Sequence, residues 1–155
     1  MPVVFFITHP DVAIDPSIRA PDWPLNVRGR ALMQAMAASP WASGVRHIFS
    51  NTERKARDAA RLLADGLGLH GYSVVDGLGE NDRSAAGYLA QQEFEAIVDA
   101  FFAQPQTSVR GWERAADAQT RIDDPMPRRA RRRSTIAGLG KVAARWSSSA
   151  IIRLP

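Results

Sequence analysis

A three-layer α/β/α sandwich around a mostly parallel sheet is the fold class predicted by three observations on this 155-residue chain. Short apolar runs rich in Val, Ile and Phe end in turn signals and read as strands. Between them lie segments whose apolar residues recur at helical spacing. The order strand, helix, strand, helix, strand returns each strand in the same direction, with helices left over to cover both faces. With 17.0 kDa, 45% hydrophobic and 23% charged residues, the chain suits one soluble globular domain.

The first strand is Val3 to Ile7, an apolar run read as buried on both faces and stopped at Thr8-His9-Pro10, where proline forbids its continuation. A loop of proline and short polar residues follows from Asp11 to Trp23. Asn26 is placed to cap a helix over Arg28 to Ala38, whose apolar face is drawn from Leu25, Leu32, Met33 and Met36, and Ser39-Pro40 ends it. Val45 to Phe49 is the second strand, ending at Ser50-Asn51-Thr52, where Asn51 or Thr52 can cap the next helix. That helix, Glu53 to Leu67, keeps Ala56, Ala59, Ala60, Leu63 and Leu67 on one side and ends at a glycine pair. Ser73 to Val75 is a short third strand. Helices over Glu93 to Ala103, with Phe94, Ile97, Val98, Phe101 and Phe102 as its stripe, and over Trp112 to Ile122 complete the regular part.

Charge divides the chain. Residues 1–120 carry 11 basic and 14 acidic side chains, whereas residues 121–155 carry 9 and 2. The sequence pI of 10.3 therefore belongs to the C-terminal stretch, not to a basic face of the domain. That stretch, with Arg128 to Arg133, a strand-like Ser134 to Ala137 and Gly138-Leu139-Gly140, has no clear amphipathic period. It reads as a degraded or truncated end of the same domain, so that the organisation is 1–122 for the regular domain and 123–155 for an atypical Arg-rich segment. An arginine run without interleaved aromatics argues against a nucleic-acid partner, which stands as the third and weakest reading. The absence of cysteine excludes disulfides and thiolate chemistry, and no run approaches the ~20 apolar residues that span a bilayer. Without a basic n-region and cleavage site at its start, the chain is expected in the cytoplasm.

Three strand ends carry distinct chemistry: His9 after the first, Asn51 with Lys55 after the second, and Glu80 after the third. In a parallel sheet they share one edge, where ligands of α/β folds collect. The helix opened at Asn51 aims unpaired N–H groups outward and favours an anion, and Lys55 adds a full charge. An imidazole, an anion pocket and a carboxylic acid are the groups that phosphoryl transfer through histidine requires. The alternatives are a solvated loop histidine, a solvated helix lysine and a loop carboxylate. Arg54 and Arg57 read as surface charges, and His47 and His70 as structural residues.

These motifs, in this order, resemble the histidine phosphatase superfamily, the phosphoglycerate mutase-like fold. Its strand followed by Arg-His-Gly is matched by Thr8-His9-Pro10, and its Ser-Ser helix opening with a basic residue before Ala by Ser50 to Ala60. Pro24-Leu25-Asn26-Val27-Arg28-Gly29, Leu78-Gly79-Glu80, and Gly111 with Asp117 and Arg121 match three further signals, over residues 2–122. The resemblance implies that His9 attacks phosphorus, that Glu80 protonates the departing oxygen, and that Thr8, Asn51 and Lys55 surround the phosphate. It implies no metal or organic cofactor, and a phosphorylated small molecule or phosphoprotein as partner, with the oligomeric state left open.

Two departures bear on activity. Thr8 stands where the family has arginine and brings no charge, and Leu139 stands where the family has a second histidine; no histidine follows His70. Loss of one electrostatic stabiliser costs ~10²–10³ in rate. The expectation is a phosphomonoester hydrolase working through phosphohistidine, impaired in rate, with an inactive phosphate-binding member of the same fold as the alternative.

Overall fold

The computed structural model describes residues 4–124 and 149–153. The expected strand at Ser134 to Ala137, the arginine run and Gly138-Leu139-Gly140 lie outside the described residues. The elements are β1 (Val4–Thr8), α1 (Val27–Ala37), β2 (His47–Ser50), α2 (Arg54–Gly66), β3 (Ser73–Val74), α3 (Gln91–Ala103), α4 (Ala115–Asp123) and β4 (Ser149–Arg153). Two compact units contain them, divided between Gly79 and Glu80, with β4 belonging to the first.

In the first unit the sheet order is β1-β4-β2-β3. β2 and β3 pair in parallel, with Ser50 opposite Val74. β4 is antiparallel to both its neighbours, with Phe5 opposite Ile152 and Ile48 opposite the same residue. The three predicted strands thus run one way, and the fourth, which the sequence reading of the C-terminal stretch did not find, runs against them. Their common direction brings the residues after Thr8, Ser50 and Val74 to one edge of the sheet.

β1 is not buried on both faces as its composition suggested. Phe5 and Ile7 pack inward, whereas Phe6 is 47% exposed and Thr8 is exposed with it. The strand lies at the edge of this sheet, where one covered face suffices and the period-two pleat alternates the burial. Phe5 meets the ring of Trp41 at 4.7 Å.

α2 supplies most of the helical core. Ala59, Ala60, Leu63 and Ala64 are buried against Leu25, Met33, Val45 and Ile48, and Ala56 is buried as well. The run of alanines lets α1 approach α2 closely, while Leu63 and Met33 fill the volume; each such side chain fully buried contributes about 1.5–3 kcal/mol. α1 is less amphipathic than its sequence suggested: of the four residues assigned to its face, Leu25 precedes it and Leu32 is largely exposed. His47 and His70 are exposed, so neither packs into a core as a structural histidine would.

The second unit has its own core of Ile97, Phe101 and Trp112, joined by Phe94, Val98 and Phe102. α4 starts three residues later than expected, because Arg110 (φ 52°) and Gly111 (φ 78°) turn the chain and the Trp112 N–H closes on the Val109 carbonyl at 2.9 Å. Trp112 is a core residue of that turn, not of the helix. Among the described residues no helix is long and apolar enough to cross a membrane.

Candidate active site

His9 stands one residue beyond β1, and its ring is fixed by the next residue. Nδ1 lies 2.6 Å from the Pro10 carbonyl oxygen. A carbonyl only accepts, so Nδ1 carries the proton and donates it there. In the neutral ring the lone pair then sits on Nε2, which is buried. This is the tautomer that a nucleophile attacking through Nε2 needs.

The loop beyond His9 is sewn to the start of α1. The Asn26 N–H donates to the Asp11 carbonyl at 3.1 Å, the Ala13 N–H to Pro24 at 2.9 Å, and the Asn26 side chain to the Val12 carbonyl at 3.3 Å. The same side chain accepts from the Gly29 N–H at 2.8 Å and caps the helix as expected. Gly29 itself faces the Asp11 carbonyl so closely that a Cβ there would lie 2.1 Å from the oxygen. The Pro24 to Gly29 signal is therefore a docking device that holds the histidine loop against α1.

At the end of β2, Asn51 is wholly buried. Its Oδ1 accepts from the Glu53 N–H at 2.9 Å and its Nδ2 lies 3.5 Å from the Leu78 carbonyl. It shapes the turn into α2 and ties that turn to the segment after β3. Glu53, not Asn51 or Thr52, is the N-cap residue.

Lys55 is not a solvated helix residue: its side chain is 4% exposed and its Nζ lies 2.9 Å from Oε2 of Glu53, itself 11% exposed. Glu53 is still extended (φ −68°, ψ 143°), which lets a carboxylate two residues away fold back over the first turn. Helical spacing alone would have kept the two apart. Glu53 therefore balances the charge assigned to the phosphate, and sequence reasoning missed it.

In the second unit Glu80 is 7% exposed, and its carboxylate pairs with the Arg83 guanidinium. That guanidinium lies over the Phe94 ring at 5.4 Å and the Trp112 ring at 5.6 Å, which fixes it by cation–π attraction. Arg121 donates to the Glu80 carbonyl at 2.9 Å and forks onto both oxygens of Glu113 at 3.1 and 2.8 Å. Hydrogen bonding from Arg121 holds the Glu113 carboxyl below its ordinary 4.5. Glu113 also accepts from the Asp82 N–H and returns a backbone bond to the Asp82 carbonyl, so the Glu80 loop is clamped to the segment before α4. The Arg121 of the sequence motif is thus a loop clamp, while Asp117 pairs with Arg114 on the surface. Arg83 and Glu113 belong to this arrangement and carry no sequence signal beyond their charge.

The motif order and the helix-and-strand architecture are those of the phosphoglycerate mutase-like fold. The chain belongs to the histidine phosphatase superfamily (branch 1), whose family model matches residues 14–136. That match begins after His9, so the histidine loop rests on its own motif and geometry. Among solved structures, a mycobacterial glucosyl-3-phosphoglycerate phosphatase in complex with inorganic phosphate is similar, with 23% identity and a TM-score of 0.60. The likeness covers 78% of this chain and 58% of that one, and at this identity it is a likeness of fold. No curated protein sequence matches the chain.

Proposed function

We propose that the protein is a phosphomonoester hydrolase that works slowly through a phosphohistidine at Nε2 of His9. The observation that carries this reading is the Nδ1 to Pro10 hydrogen bond, which leaves the lone pair on Nε2. Membership of the histidine phosphatase superfamily supports the same reaction class. Nε2 attacks phosphorus and the bond from phosphorus to the leaving oxygen breaks, that oxygen taking a proton from Glu80. Water then attacks phosphorus and returns a proton to Glu80. The nitrogen–phosphorus bond breaks, releasing inorganic phosphate and the neutral ring.

Three features set the rate low. Thr8 supplies a hydroxyl where the family has a guanidinium. The positive charge of Lys55 is already matched by Glu53. Glu80 enters the cycle as an acid, so its ion pair with Arg83 must open and the carboxylate take up a proton first. Asn51 is a positioning residue for the α2 turn. The substrate is a phosphorylated small molecule or phosphoprotein, with the small phosphate ester for which the similar mycobacterial enzyme is named favouring the former.

The test is a single-turnover reaction with para-nitrophenyl phosphate, quenched in alkali and read by intact mass. The protein gains one phosphoryl group that survives alkali and is lost in acid, and His9→Ala gains none. A second reading, phosphate binding without turnover, is favoured by the Glu80–Arg83 pair, which withholds the acid without involving the groups assigned to phosphate. It replaces the first if no phosphoryl group is trapped while inorganic phosphate still raises the melting temperature.

A further inference from the structure

The exposed side of α2 carries a second concentration of positive charge that the reaction at His9 does not use. Arg54, Arg57 and Arg61 stand three and four residues apart and line one cleft with Thr52 and Tyr72, of about 330 Å³. On a helix this spacing makes a single row, about 10 Å long at 1.5 Å per residue. Two aspartates also border the cleft, but each already has a cation of its own: Asp22 pairs with Arg19 at 2.9 Å and Asp58 with Arg30 at 3.5 Å. Among the described residues the three cleft arginines have no acidic partner. Like charges at these spacings oppose helix formation, so the row is a cost to the fold that an anionic ligand would relieve.

The geometry points to a second anion site, separate from His9, that takes a small multiply phosphorylated molecule. Guanidinium forks match phosphate oxygens in pairs, and a row of three suits two or more phosphates held in line better than a single one. The Thr52 and Tyr72 hydroxyls add neutral donors at the walls. The volume is that of a small-ligand pocket, not a protein-docking surface. Nothing in this assignment requires turnover at His9.

Calorimetric titration of the full chain with inorganic tripolyphosphate tests it. The unaltered protein binds one equivalent. The Arg57→Ser/Arg61→Ser double variant binds at least about tenfold more weakly, as loss of charge-assisted hydrogen bonds requires, and Arg54→Ser alone shows a smaller loss. The corresponding lysine variants fall between, since charge remains but the fork is gone. His9→Ala binds as the unaltered protein does. Because these arginines are exposed, the variants should keep their far-ultraviolet circular dichroism and melting temperature. Absence of binding, or binding untouched by the serine variants and so attributable to the Arg128 to Arg133 run, overturns the proposal. Loss of binding in His9→Ala also overturns it, by placing the anion at the catalytic histidine.

Discussion

The two sides of α2 treat positive charge in opposite ways. On the buried side Lys55 is almost fully covered and is matched by Glu53 at 2.9 Å; on the exposed side Arg54, Arg57 and Arg61 stand in a row with no acid of their own among the described residues. The contrast follows from solvent. A buried ammonium loses hydration worth several kcal/mol and must recover it from a partner, whereas an exposed guanidinium stays hydrated and can wait for a ligand. The lysine that looks like the phosphate ligand in the sequence is therefore the less available cation, and the arginines that look like ordinary surface charge are the more available ones.

The largest effect is expected from breaking the buried pair. Glu53→Gln takes the carboxylate away from the desolvated Lys55 ammonium and should cost about 3–5 kcal/mol in urea unfolding, whereas the double replacement Glu53→Gln/Lys55→Met, which removes both charges, should recover most of that loss. Equal instability of the single and double variants would mean that the pair is not what keeps Lys55 in place. An intermediate effect belongs to the half-buried clamp in the second unit. Hydrogen bonding from Arg121 depresses the Glu113 carboxyl, so its contribution to stability is present above the ordinary 4.5 and is lost as pH falls below that value through the folded-state one. Melting temperature should drop more steeply with acid in the unaltered protein than in Glu113→Gln, and identical acid limbs would remove the clamp from the account. The smallest effect is expected on the exposed row: Arg61→Ser should change stability by no more than about 0.5 kcal/mol, with a gain favoured because like-charge repulsion is relieved. A loss well beyond that would show that Arg61 already has a partner.

Much of the fold was legible because local rules decide it. The apolar run at Phe5, the Asn26 cap and the alanine face of α2 each act within a few residues, and each was found where the sequence put it. β4 was not, since Ser149 to Arg153 is a strand through pairing with β1 and β2, which a local pattern does not reveal. The site divides in the same way. That a histidine follows β1 and a turn follows β2 can be read from Thr8-His9-Pro10 and Ser50-Asn51-Thr52. Which partner each charge takes cannot, because Glu53 reaches Lys55 only through its extended cap conformation, and Arg83 is steered onto Glu80 by the distant rings of Phe94 and Trp112. Asn51 shows what residue type alone leaves out: its amide also bonds two backbone groups, the Glu53 N–H and the Leu78 carbonyl.

The hydrogen bond from the His9 ring to Pro10 has an acceptor that belongs to the main chain. No side-chain replacement at position 10 deletes that oxygen, so the protonation pattern of the imidazole is insulated from most single mutations in a way that a carboxylate partner would not be. What remains exposed to mutation is the path of the loop, held by Asn26 and by the bare Cα of Gly29 against Asp11. Drift in this gene can therefore erode the charges around the ring long before it disturbs which nitrogen holds the proton. The position of the ring proton would be the last part of this arrangement to disappear.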